Sequence, residues 1–287
     1  MNEVEREHPV KRILVALDTS KHSLAALAAA VELATFLDAE LLGLFVEDIN
    51  LLRLAGLPFA QEISPSAVAR QMDSARLEQE LRLQAGRARR ALAEAAEPSQ
   101  VRWSFRVVRG QVAAEVLTAA LEADLLSLGI ASRPLIRRIR PGSTALAVAA
   151  KAPHAVLLLQ HGERLGQPVM VTYNSSAAAN RALDMAARLV QKIKPESRLP
   201  LTVLIIAETE QLEAGQHLER EATARLLGQV AQAKFRHLAQ VNLAGLIEVV
   251  QSEKSGLLIL GGETPLGEAD TIQALLDNIA CPVLLVR

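Results

Sequence analysis

The strongest constraint on this chain is an internal repeat. Ile13 to Asp18 aligns with Val169 to Asn174 at an offset of 156, and Ala26-Leu27 falls on Ala182-Leu183 at the same offset. Gly110 and Gly129 match Asn242 and Gly261 at an offset of 132, and His154 to Leu157 matches Cys281 to Leu284 at 127. Similarity sustained in this order implies two units of one architecture in tandem. The falling offset places the length differences: the second copy is 24 residues shorter in its middle (156 minus 132) and 5 shorter after its fourth strand (132 minus 127). A length of 287 residues suits two units of about 150 each. The expected boundaries are 1–162 and 167–287.

Within each copy the hydrophobic period switches back and forth. Ile13 to Leu17 is a continuous apolar run, and after Asp18-Thr19-Ser20 a period near 3.6 carries Leu24, Leu27, Val31 and Ala34 along one helical face. Leu41 to Val46 is again short and wholly apolar, as a strand covered on both sides must be. A helix is expected from Val68 to Glu97, a strand from Val101 to Val108, a helix from Val112 to Glu122 and a strand from Leu125 to Leu128. Gly142 to Lys151 then reads as a helix and Ala155 to Leu159 as a strand. Strands alternating with helices predict an α/β fold: two tandem doubly wound parallel sheets with helices on both faces.

Composition removes several function classes. Aromatics are 2% of the chain against 50% hydrophobic, so the cores must be built from aliphatic residues and alanine, and no aromatic platform for single-stranded nucleic acid exists. Thirty-one basic against thirty-two acidic residues leave a net charge of -1, without a global field for nucleic acid or an anionic membrane. The longest stretch lacking charge, Leu165 to Asn180, is interrupted by polar residues, so no membrane insertion is expected. A single cysteine, Cys281, allows no intrachain disulfide and suggests a reducing cytoplasmic setting. The six histidines show no metal-ligand spacing, no general base pairs with a nucleophile, and the fingerprint loops of dinucleotide and P-loop proteins are missing. An enzyme is therefore not expected.

In an open parallel sheet the ligand crevice lies beyond the carboxyl ends of the strands where their order reverses. With the order 3-2-1-4-5, that crevice is flanked by strands one and four of each copy. In the first copy the residues just beyond them are Asp18-Thr19-Ser20 and Gly129 to Arg133. Pro141-Gly142-Ser143-Thr144 then opens a helix, whose free N–H groups, dipole and hydroxyls can hold a phosphate. Arg133, Arg137, Arg138 and Arg140 lie between and can supply charge to a triphosphate. Each feature also has a plain explanation: Gly-Ser-Thr can simply cap a helix, Asp18 can stabilise its own turn, and an arginine run can be a solvated loop.

These residues together resemble the universal stress protein family. Its nucleotide loop carries a glycine, two residues, a glycine, nine residues, then glycine and a hydroxyl residue. Gly129, Ser132, Gly142 and Ser143 stand at that spacing, with serine replacing the second glycine. Val15 to Ser20, Arg109 to Glu115 and Ala280 to Leu284 are also similar to the family's first strand, third helix start and last strand. The resemblance implies ATP, with or without Mg2+, as ligand. Asp18 would face the ribose or adenine and Val46 would line the base. Gly129 and Ser132 would follow the ribose and first phosphates, while Gly142, Ser143 and Thr144 would hold the terminal phosphates and Arg133 would add charge.

The second copy departs from this pattern. Asn174 replaces the aspartate, and Gly261 to Asp270 has neither a Gly-Ser pair nor an arginine, so a degenerate unit is expected. The terminal apolar strands, Ala155 to Leu159 and Val283 to Val286, would aggregate if bare. The resemblance implies that they pair as an intrachain pseudo-dimer, with a homodimer of whole chains as a further option. The apolar segment Ile49 to Ser66 is expected to be a lid, a partner-binding patch or simply packing. Two functions remain open, an ATP-dependent stress switch or sensor acting on a regulatory protein and a nucleotide-free interaction module; a third, slow ATP hydrolysis or adenylyl transfer, lacks a recognisable base and paired metal carboxylates.

Overall fold

A computed structural model describes residues 10–57, 61–63, 69–71, 73–130, 143–160, 162–192, 200–207, 212–230, 232–239, 243–261 and 269–287. In the first half, β1 (Arg12–Ala16), β2 (Glu40–Asp48), β5 (Trp103–Gly110), β6 (Leu125–Ile130) and β7 (Ala155–Gln160) form parallel pairs in the order β5-β2-β1-β6-β7. In the second, β8 (Val169–Tyr173), β9 (Leu201–Ala207), β10 (Ala233–Ala239), β11 (Leu257–Gly261) and β12 (Val283–Val286) repeat it as β10-β9-β8-β11-β12. Both halves thus have the order 3-2-1-4-5.

The two five-stranded arrays are one sheet. β7 and β12 pair antiparallel at its centre, with Leu157 opposite Leu284 and Leu158 opposite Val283. Every residue from Ala155 to Leu159 and from Val283 to Val286 is buried, so the seam covers the two strands that would otherwise be apolar edges.

Helices cover both faces. On one lie α1 (Lys21–Leu37), α3 (Ser74–Ala96), α6 (Ala177–Lys192) and α7 (Leu212–Leu226); on the other lie α4 (Val112–Ala120), α5 (Ser143–Lys151), α8 (Leu243–Ser252) and α9 (Ala269–Leu276). Each face has one continuous hydrophobic core running through both halves, the first from Val10 to Val286 and the second from Leu14 to Leu285. Alternate strand residues feed alternate cores, the period-2 rule of a sheet buried on both sides.

The helix before β5 begins at Ser74 rather than at Val68. Asp73 accepts a hydrogen bond from the Ala75 N–H at 2.9 Å and caps it there. Ahead of it, the apolar segment holds a short helix, α2 (Ile49–Ala55), and a two-stranded hairpin of β3 (Gln61–Ile63) and β4 (Ala69–Gln71). Leu51, Leu54 and Leu57 are exposed, so they do not pack into the core of their own unit.

Candidate functional site

Three of the expected residues meet where the strand order reverses. β1 pairs with β2 as far as Ala16 opposite Leu44, and Asp18 and Val46 each lie two residues beyond that pair. β1 also pairs with β6, with Val15 opposite Ser127, which sets Gly129 beside Leu17. Asp18, Val46 and Gly129 therefore share the carboxyl crest of β2, β1 and β6. Val46 is half-buried and packs on the second core, flanked by Val108 of β5. α5 begins at Ser143 and returns from this crest to β7; Thr144 in its first turn is exposed. Ser132, Arg133 and Gly142 lie outside the described residues, as do the other loop arginines.

The turn after β1 is ordered by its own side chains. Asp18 Oδ1 accepts the Ser20 N–H at 2.9 Å, forming an Asx turn, and Ser20 Oγ accepts the Ser23 N–H at 3.2 Å to cap α1. Ser23 Oγ donates to the Ser20 carbonyl at 3.1 Å and accepts the Asp18 N–H at 3.4 Å. Between them Thr19 adopts a left-handed conformation with φ 64°. Desolvation alone would raise the Asp18 carboxyl pKa, but the hydrogen bonds from Ser20 and Ser23 outweigh it and hold the group below its ordinary value of 3.8. Asp18 is thus an ionised acceptor at neutral pH, suited to ribose hydroxyls or an adenine amine.

The second half repeats this turn at an offset of 156. Asn174 Oδ1 accepts the Ser176 N–H at 3.2 Å, Ser176 Oγ accepts from Ala179 N at 3.1 Å, and Ser175 has φ 65°. The geometry therefore needs an oxygen acceptor at the first position but not a charge. Gly129 has a similar double role. A Cβ there would stand 2.1 Å from the His22 carbonyl oxygen in the first turn of α1, so only glycine lets β6 and α1 approach so closely. Gly261, its counterpart, lies against Ala178 and Ala179 of α6 in the same way. Asp18 and Gly129 are accounted for by folding as well as by a ligand.

At the crest of β8 the second half carries a polar network that sequence reasoning missed. The fully buried Tyr173 donates to Asn180 Oδ1 at 3.2 Å, Asn180 Nδ2 donates to the Ser175 carbonyl at 3.3 Å, and Ser175 Oγ donates to Glu221 at 2.8 Å. Burial and the nearby Glu221 carboxylate push the Tyr173 phenol up to about 12. One turn further along α7, Arg225 pairs with the buried Asp184 of α6. The only sequence signal was a set of polar replacements: Tyr173 for Leu17, Asn180 for Leu24 and Asp184 for Ala28 at the repeat offset.

Other chemistry-bearing residues have structural settings. Cys281 is buried at the start of β12, where burial and then the Glu163 carboxylate push its thiol to about 12, far from a nucleophile. Arg109 at the end of β5 binds Glu47 at 2.9 Å and Glu78 at 3.2 Å, tying the N-terminal part of α3 to the end of β2. Among the described residues no group of three or more histidine, cysteine and carboxylate side chains could hold a metal, and no helix is long and apolar enough to cross a membrane.

The fold and crest define a doubly wound α/β protein whose strand order reverses between β1 and β6. The model of the Universal stress protein family matches residues 9–160, more than half of the chain. The chain belongs to that family.

Two solved structures agree on the fold over nearly the whole chain. A universal stress protein from Archaeoglobus fulgidus DSM 4304 superposes over 96% of this chain and 98% of its own with a TM-score of 0.70 at 16% identity. The functionally unknown protein PA1789 from Pseudomonas aeruginosa PAO1 covers 96% of this chain and 92% of its own, with a TM-score of 0.58 at 14% identity. A universal stress protein solved in complex with cAMP spans 54% of this chain and all of its own, at 19% identity and a TM-score of 0.38. No curated protein matches the sequence.

Proposed function

We propose that the first unit, residues 1–162, binds an adenine nucleotide, and that the bound state alters a protein-contact surface as a switch or sensor in a stress response. The nucleotide is ATP, with or without Mg2+, held by Asp18, Val46, Gly129, Ser132, Arg133, Gly142, Ser143 and Thr144. The observation that carries this reading is the meeting of Asp18, Val46 and Gly129 on the crest of three adjacent strands from which α5 also starts. The family match covers this unit, and the loop spacing from Gly129 to Ser143 supports the same ligand. No group in this reading performs chemistry on the nucleotide, and the protein acts in the cytoplasm.

The second unit, residues 167–287, serves in this reading as a structural partner. The Tyr173-Asn180-Ser175-Glu221 network supports that role, because its hydrogen bonds are met internally and Glu221 would repel a phosphate. Isothermal titration calorimetry with ATP tests the proposal. Binding at one site per chain that is abolished by Gly142→Asp supports it, and affinity unchanged by Gly142→Asp removes the site.

A second reading, a nucleotide-free interaction module, is favoured by one observation: the turn of Asp18 and the close approach of Gly129 recur in the second half, where the phosphate loop sequence is missing. Its signature is an unfolding temperature unmoved by millimolar ATP, since a ligand bound only to the folded state must raise it.

A further inference from the structure

The central seam contains a reciprocal pair of contacts. Gln160, the last residue of β7, donates through Nε2 to the carbonyl of Leu276 at the end of α9. Arg287, just past β12, donates through Nη2 to the carbonyl of Ala149 in the last turn of α5 at 2.5 Å. The repeat offset of 127 relates both partners, since 160 plus 127 is 287 and 149 plus 127 is 276. Each half therefore caps the last helix of the other, and α5 packs on α9 beneath the caps.

The two caps differ in charge. Gln160 brings a neutral amide to α9, whereas Arg287 brings a guanidinium to α5. Its Nε is buried and has no acceptor among the described residues, so the guanidinium's described hydrogen bond is the one to the carbonyl end of α5. α5 is nine residues long, about 13 Å of rigid rod with a negative end at Arg287 and a positive end at Ser143-Thr144. A helix end fixed by a cation also fixes the orientation of the N–H groups at its other end.

We propose that Arg287 is a positioning residue for the nucleotide site of the opposite half: through α5 it orients the Ser143-Thr144 end that receives the terminal phosphates. This rests on the reading of that end as a phosphate site. The second unit would then be a required part of the first unit's site rather than a passive relic. By reciprocity, ATP should also tighten the seam.

The test compares full-length wild type, Arg287→Ala, Arg287→Lys and Gln160→Ala by ATP and ADP titration calorimetry, with hydrogen exchange on the same proteins. ATP affinity is expected to fall about three- to tenfold in Arg287→Ala and to recover in Arg287→Lys, the size expected of a charge at a partly buried helix terminus. Gln160→Ala, which loosens the seam from the other side, should keep wild-type affinity, and ADP should be affected less than ATP by Arg287→Ala. ATP should slow exchange along α5 in wild type and not in Arg287→Ala. Wild-type affinity in Arg287→Ala, or equal losses in Arg287→Ala and Gln160→Ala, overturns the proposal. Failure of wild type itself to bind ATP refutes the nucleotide reading instead, and faster α5 exchange confined to Arg287→Ala then still reports whether Arg287 positions the helix.

Discussion

Gly129 lies directly against His22: a Cβ on the glycine would stand 2.1 Å from the His22 carbonyl oxygen and 2.7 Å from the Ser23 nitrogen. Backbone cannot swing aside as a side chain can, so Gly129→Ala must push α1 off β6. The expected loss is about 2–3 kcal/mol, read as a lower denaturant midpoint at unchanged slope. Gly261→Ala, whose Cβ would meet Ala179 N at 3.0 Å, should lose less, about 1 kcal/mol. Equal stability of Gly129→Ala and wild type would mean that the β6–α1 approach is looser than described.

Asp18 and Asn174 make the same turn with different charge, which separates folding from binding at one atom. Asp18→Asn should keep the Ser20 N–H bond and lose at neutral pH only the small stabilisation that the lowered carboxyl supplies, yet lose ATP affinity if the carboxylate contacts the nucleotide. The acid limb should also change. The folded carboxyl titrates below its ordinary 3.8, so its contribution is present above that value and disappears as pH falls through the lower folded one. Denaturation curves from pH 2 to 5 should be flatter for Asp18→Asn than for wild type. A large loss of stability at pH 7 would show that the charge itself serves the fold.

The repeat made the strand order legible, because apolar runs of five or six residues between helical periods leave few alternatives to a doubly wound sheet. The crest residues Asp18 and Gly129 follow from that order, whereas Val46 came from the family resemblance. Besides the polar network around Tyr173, three things were hidden. The start of α3 at Ser74 depends on a cap at Asp73 that apolar periodicity does not register, and Val68 offered an equally apolar beginning. The hairpin of β3 and β4 is too short for a period to emerge. The reciprocal caps of Gln160 and Arg287 join residues whose polar identities differ, so no repeat pattern marks them, and only the seam brings each to the other's helix.

Glu163, in the link between β7 and β8, accepts the Gln160 N–H at 2.7 Å while half-buried, and desolvation holds its carboxyl above the ordinary 4.5. A raised acid favours the folded state at low pH: its contribution is full below about 4.5 and is lost as pH rises through the folded value. Glu163→Gln keeps an oxygen acceptor without a charge to bury. The variant should match wild type near pH 4 and be the more stable near pH 7, by parallel urea titrations. A variant less stable at pH 7 would show that the ionised form has a partner worth more than its desolvation.

Thr19 is a β-branched residue held at φ 64°, where its Cβ crowds the backbone, while its counterpart Ser175 at φ 65° carries a smaller side chain. Such a conformation costs about 1–2 kcal/mol in a branched residue and less in asparagine, whose short amide tolerates the left-handed region. The turn around it survives the change, because Asp18 and Ser20 supply its hydrogen bonds and Thr19 none of those described. Thr19→Asn should therefore raise stability by about 1 kcal/mol, or about 2–4 °C for a chain of this size. Calorimetric scans of the two proteins decide it: an unchanged or lower transition would mean that the threonine methyl or hydroxyl offsets the strain by contacts at the mouth of the crevice. In that case the same variant should also weaken ATP binding.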